Sequence, residues 1–113
     1  APEIVIEDPY ADEIASDLAM NSREEPALFP RGEAIAIFIG PDCAECDAAR
    51  AEIDQIARQI GVGLSVLDIS EPRNAALMER LTLDVVPSYA MPDRLIRGHM
   101  PGFVLERYLD VAP

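Results

Sequence analysis

The six residues 34–39 and the segment that follows them constrain the fold more than any other part of the chain. The six are Ala-Ile-Ala-Ile-Phe-Ile, and a run without polar alternation is typical of a strand covered on both faces of an α/β sheet. Gly40 and Pro41 end the run, and a segment with helical periodicity begins at Cys43 and Cys46. The sequence therefore predicts a central strand that delivers two closely spaced thiols to the start of a helix.

The segments after this strand predict a βαβ unit. Apolar residues recur at helical spacing over residues 43–60, and Gly61 is placed to end that helix as a C-terminal cap. Residues 62–69 alternate between apolar and small side chains at first, as a second central strand would. A strand, a helix of this length and another strand predict a right-handed crossover that joins two parallel strands.

Three elements are predicted on the N-terminal side. Residues 3–7 are rich in β-branched side chains and predict a short strand. A helix should begin at Asp8-Pro9, where Pro suits the first helical position, and apolar spacing carries it to about Met20. Residues 21–32 contain two prolines, a glycine and several charges, and this composition predicts a loop.

The C-terminal half predicts a helix, a β-hairpin and a last helix. Ser70 and Pro72 are typical of a capped helix start. Pro92 presets the second position of a turn, so a hairpin should reverse there. The predicted elements are a helix over residues 70–83, strands over residues 88–91 and 94–97, and a helix from Pro101. Residues 1–113 thus form a single domain with the order βαβαβαββα.

This order resembles the thioredoxin fold, a three-layer α/β fold with a central mixed sheet and helices on both faces, and the resemblance covers nearly all of the chain. Three landmarks carry it. The motif Cys43-Ala44-Glu45-Cys46 matches the family's redox motif at a strand-to-helix junction. Val86-Pro87 matches the proline that opens the fourth strand of the family's sheet, and Gly98 matches a glycine after the terminal hairpin.

The resemblance implies a thiol–disulfide oxidoreductase that transfers electrons to or from a partner protein. Cys43 would attack the partner's disulfide and Cys46 would resolve the mixed disulfide, because a helix N-terminus favours a thiolate at the first position and shields the second. Pro87 would be cis and lie against the motif, and Val86 would pair its backbone with an extended substrate. The alternative for Pro87 is an ordinary proline that begins an edge strand.

The chain also departs from thioredoxins around the motif. Thioredoxins carry Trp before the first cysteine and Gly-Pro between the two, where this chain has Asp42 and Ala44-Glu45. The family's buried acid in the preceding strand corresponds to Ile37, which cannot titrate, so a specialised relative is expected rather than a general thioredoxin. Asp42 and Glu45 are candidate redox-tuning residues, because negative charge disfavours a thiolate. Alternatively, the acids near the motif only stabilise the helix start.

Composition narrows the possible partners. The net charge is −12 and all nine basic residues are Arg, so neither nucleic acid nor an anionic membrane surface is an expected partner. No apolar run approaches the ~20 residues that span a bilayer, and membrane insertion is not expected. The expected partner is a protein disulfide or dithiol, with no cofactor or bound metal, and the chain should be a monomer.

Two rival functions and the location stay open at the level of sequence. The cysteines could belong to a non-catalytic thioredoxin-fold interaction module, or to a carrier that binds Cu(I) or Zn(II) through two thiolates. His99 is the only histidine, which leaves few further zinc ligands. The chain begins at Ala1 rather than Met, and Ala-Pro-Glu would suit a mature periplasmic or otherwise exported protein; a cytoplasmic protein is the alternative.

Overall fold

The computed structural model describes residues 11–109, with the side chains of residues 19–109. Its helices and strands, in chain order, are α1 (Ala11–Leu28), β1 (Ile35–Ile39), α2 (Ala44–Ile60), β2 (Leu64–Asp68), α3 (Pro72–Arg80), β3 (Ser88–Met91), β4 (Arg94–Arg97) and α4 (Gly102–Leu109). This order agrees with the predicted one from its second element onward. The strand predicted at residues 3–7 and the helix start at Asp8-Pro9 lie outside the described residues.

The strands form a mixed four-stranded sheet in the order β2-β1-β3-β4. β1 and β2 are parallel, which confirms the parallel βαβ unit predicted from the sequence, and Ile37 is aligned with Val66. β3 runs antiparallel to β1 and pairs Ser88 with Phe38, and β4 completes the hairpin. The motif after β1 and the segment before β3 therefore lie side by side, at the end of the sheet where β1 finishes and β3 begins.

Helices cover both faces of this sheet, and β1 is therefore buried on both sides. Ile37 and its alternate neighbours in β1 belong to a core cluster with α2 and α4, whereas Phe38 belongs to a second cluster with α1 and α3. Every residue of β1 is buried, as its unbroken apolar sequence predicts. The three-layer α/β architecture with a central mixed sheet is thereby confirmed.

The prediction that residues 21–32 form a loop was wrong over its first part, because α1 continues to Leu28. Pro26 lies in the last turn of the helix, where it cannot donate the N–H that would bond to the carbonyl four residues earlier, and the chain leaves the helix soon afterwards. Asn21 and Leu28 lie seven positions apart and are almost completely buried. Asn21 donates from its side-chain amide to the carbonyls of Met91 and Arg94. These tertiary contacts with the hairpin outweigh the local composition that predicted a loop.

The boundaries of α3 also differ from those predicted. The N-cap position is Glu71 rather than Ser70, and the Glu71 side chain makes no capping hydrogen bond. The helix ends at Arg80 rather than near residue 83, because Thr82 has a positive φ of 60° that a continuing helix does not allow. Among residues 11–109, no helix is long and apolar enough to cross a membrane.

Candidate redox site

The chain turns sharply between β1 and α2 and places Cys43 at the mouth of the helix. Asp42 adopts the left-handed region with φ 54°, which Asp tolerates better than most residues. Cys43 is the N-cap residue of α2, and its Sγ accepts a hydrogen bond of 3.0 Å from the backbone N–H of Cys46. The sulfur therefore occupies the position that a Ser or Asp oxygen takes at other helix starts.

Cys43 and Cys46 form a disulfide, with an S–S distance of 2.15 Å and a Cα–Cα distance of 5.1 Å. The two halves of this disulfide differ in exposure. Cys46 is fully buried and belongs to the core cluster that also holds Ala49 and Ile53, whereas Cys43 is partly buried at its edge. An attacking thiol can therefore approach the disulfide from the Cys43 side.

The start of α2 exerts two opposing electrostatic effects on a thiolate at Cys43, one stabilising and one destabilising. The first N–H groups of α2 and the positive end of its dipole favour negative charge on the sulfur. Against this, Glu45 and Asp47 lie in the first turn and Asp42 precedes the motif, and all three carboxylates are exposed. Their placement is compatible with both hypotheses from the sequence, helix stabilisation and opposition to a thiolate.

The segment before β3 lies beside the motif loop. The Val86–Pro87 peptide bond is cis, and Pro87 is fully buried. Since Ser88 pairs with Phe38, the same register places Val86 opposite Gly40. A Cβ atom on Gly40 would lie 3.3 Å from Cγ2 of Val86, so a glycine at this position lets the two segments approach closely.

The backbone of Val86 is available for pairing. Within residues 11–109, neither its N–H nor its carbonyl makes a hydrogen bond. The structure places Val86 beside Gly40, in the loop that leads to Cys43, and Asp42 and Glu45 are exposed in the same loop and helix turn.

Sequence reasoning missed Ser88, which connects the other two landmarks. Its hydroxyl donates to the carbonyl of Val85 and accepts a hydrogen bond of 3.4 Å from the N–H of Gly98. Gly98 has a φ of 90°, which favours glycine over residues with a side chain. A small hydroxyl residue directly after the proline was the available signal, and its role could not be assigned without the pairing of β3 with β4.

Tyr89 was also missed, and it lies beneath α2. It is fully buried, is aligned with Ile37 on the neighbouring strand, and shares the core cluster of Cys46. Burial raises the pKa of the Tyr89 hydroxyl, and the carboxylates of Glu52 and Glu45 act in the same direction; the Met100 backbone opposes them. The phenol is therefore held in its neutral form.

Metal ligands are sparse around the two cysteines. Over residues 11–109, no group of three or more His, Cys, Asp or Glu side chains is arranged to hold a metal ion. His99 lies in the exposed loop before α4.

Comparisons with known proteins add little to this geometry. No protein-family model matches the chain, and no curated protein sequence matches it. Among solved structures, the chain is similar to the crystal structure of the thioredoxin-like protein BC3987, with a TM-score of 0.48 and 14% identity over 66% of this chain and 97% of that chain. A similarity of this size carries no inference about function, and the assignment of fold rests on the strand order, layers and motif placement of this chain.

Proposed function

We propose that this chain, whose described residues form a thioredoxin-like fold, is a thiol–disulfide oxidoreductase that exchanges disulfides with a partner protein. One observation carries the proposal. The Cys43–Cys46 disulfide lies at the start of α2, with Cys43 partly exposed and Cys46 in the core. An inert structural crosslink has no need of this asymmetry, whereas stepwise exchange requires one accessible and one shielded sulfur.

The exchange proceeds in two balanced steps. In the reduced protein, the thiolate of Cys43 attacks one sulfur of the partner's disulfide; that S–S bond breaks, a mixed disulfide forms, and the partner's other sulfur leaves as a thiolate. Cys46 then loses its proton and attacks Cys43, which re-forms the intramolecular disulfide and releases the partner as a dithiol. Two electrons pass from this chain to the partner, and the same steps in reverse oxidise a partner dithiol.

Val86 is proposed to hold the partner during the exchange. Its backbone N–H and carbonyl have no partner within residues 11–109, and it lies beside the loop that carries Cys43. An extended partner segment can pair with these groups as an added strand, and such pairing supplies affinity with little demand on sequence.

We further propose that Asp42 and Glu45 make the pair reducing. Both are exposed next to Cys43, and like charge there opposes the stabilisation that the helix start gives to a thiolate. A redox titration against glutathione tests this, and a potential near the roughly −120 mV of strong oxidants would contradict it.

Turnover assays test the function itself. Insulin reduction and glutathione-coupled turnover should be measured for the wild type, Cys43→Ser and Cys46→Ser, with the exposed substitution Glu106→Gln as a matched control. We expect background rates for both cysteine variants and a wild-type rate for the control. Equal background rates for all four proteins would instead support a non-catalytic interaction module.

A further inference from the structure

A groove of about 400 Å³ lies between α3 and the segment that leads to β3. Apolar side chains make up most of its lining, among them Ile69, Met78, Leu83 and Val86. This volume lies within the range of pockets that hold small organic groups, and it can accept a large apolar side chain. The function proposed above uses only the backbone of one lining residue, Val86, and none of the apolar side chains.

The groove opens directly beside the redox motif. Val86 and Ile69 line it, and both also face Gly40, whose Cβ would lie 3.3 Å from Val86 and 3.4 Å from Ile69. Gly40 precedes Cys43 by three residues. A segment that pairs with the Val86 backbone would project alternate side chains to opposite faces, so one of them can enter the groove.

The charged side chains that line the groove are both acidic. Glu79 and Asp84 lie at its edge, both exposed, and neither carboxylate makes an ion pair or hydrogen bond within the described part of the chain. No basic residue lines the groove itself; Arg97 reaches its edge, where the guanidinium donates to the Thr82 hydroxyl at 3.4 Å, so the two acids still outnumber it. A cationic segment is the complementary occupant, because like charge across an interface suppresses binding and opposite charge speeds association.

We propose that this groove selects the partner: it takes an apolar side chain from a partner segment that also carries Lys or Arg near its redox cysteine. The proposal rests on the function proposed above and names the substrate class of that site. Burial of the apolar side chain supplies affinity, while Glu79 and Asp84 distinguish cationic from anionic partners.

Four disulfide peptides test the selection. They share one sequence, carry Phe or Ser two residues before the cysteine, and carry Arg or Glu in the flanks; each rate is divided by the same peptide's rate with dithiothreitol. With the reduced wild type, we expect Phe to exceed Ser by roughly tenfold. Arg should exceed Glu by about threefold to tenfold at low salt and by less at high salt.

Matched variants assign each preference to its residues. Ala75→Leu fills the groove from an exposed helix position and should abolish the preference for Phe, whereas the exposed neighbour Ala76→Leu, outside the lining, should keep it. The double variant Glu79→Gln, Asp84→Asn should lose the preference for Arg. All three variants should retain the wild-type rate with hydroxyethyl disulfide, which is uncharged and too small to fill the groove.

The outcomes separate the two proposals. Equal normalised rates for all four peptides, with normal turnover of hydroxyethyl disulfide, would overturn the docking proposal and leave the proposed function standing. Preferences that persist unchanged in Ala75→Leu and in the double variant would also overturn it. No exchange with any disulfide would overturn the proposed function, and the docking proposal with it.

Discussion

Reduction of the Cys43–Cys46 disulfide should lower the free energy of unfolding by about 1–2 kcal/mol. The bond joins residues with a sequence separation of 3, and a loop that short restricts the unfolded chain by about 2 kcal/mol in the chain-entropy model. A thiolate at Cys43 would recover about 0.3–1 kcal/mol from the helix start. Glu45 and Asp47 in the first turn reduce that recovery, so the oxidised form should remain the more stable.

The comparison needs only urea denaturation followed by circular dichroism, with the protein oxidised in one series and held reduced by a phosphine in the other. The midpoint should fall by about 1 M urea on reduction. By the thermodynamic cycle, a difference of about 1–2 kcal/mol makes the folded pair about 20–40 mV more reducing than the same pair in the unfolded chain.

A reduced protein that is as stable as the oxidised one, or more stable, would refute this reasoning. It would mean that the helix start stabilises the Cys43 thiolate by more than the loop entropy, despite the acids beside it. The pair would then be an oxidant. A normal stability difference accompanied by a changed slope in urea would instead point to a difference in compactness between the two forms.

Three substitutions test the packing around the site, each by urea denaturation. Leu105→Ala should lower the free energy of unfolding by about 2–5 kcal/mol, because Leu105 is 1% exposed on the buried face of α4, whereas Phe103→Ala, at a side chain 64% exposed, should cost under about 1 kcal/mol. Asn21→Ala should cost about 2 kcal/mol, since it leaves two hairpin carbonyls without their donor, while Ser22→Ala at the exposed neighbour should be nearly neutral. Tyr89→Phe should flatten the alkaline loss of stability: the pKa of Tyr89 is raised in the fold, so the wild type loses stability as pH rises above about 10, where the unfolded chain gives up the proton first.

Each of these substitutions has a result that would contradict its premise. Equal costs for Leu105→Ala and Phe103→Ala would mean that α4 is not anchored through the buried Leu105 side chain. A neutral Asn21→Ala would mean that the amide does not hold α1 to the hairpin. If Tyr89→Phe loses stability at alkaline pH as the wild type does, then the group whose titration causes that loss is not Tyr89.

The parts of the fold that are determined locally could be predicted from the sequence. The unbroken apolar residues of β1 predict burial on both faces. Gly61 ends α2 with φ 77°, and its N–H bonds to the carbonyl of Ala57, as expected of a C-terminal cap. The same holds for the placement of Cys43, since a strand that ends before Gly40 and Pro41 leaves few positions at which the next helix can begin.

The parts that the sequence did not predict depend on residues far apart in the chain. α1 extends through Pro26 because Asn21 bonds to carbonyls 70 and 73 positions away, which no local signal reveals. The groove beside the motif arises only where α3 meets the segment at Val86. The connection from Ser88 to Gly98 likewise depends on the register of the hairpin.

The most direct test of the central claim is the relative alkylation rate of the two cysteines in the folded, reduced protein. Limiting iodoacetamide should be added at neutral pH and the modified positions identified by peptide mass spectrometry, with the urea-unfolded protein as the reference. The account predicts modification at Cys43 more than roughly tenfold ahead of Cys46, and equal rates once the chain is unfolded. Equal rates in the folded protein, or faster modification of Cys46, would contradict it.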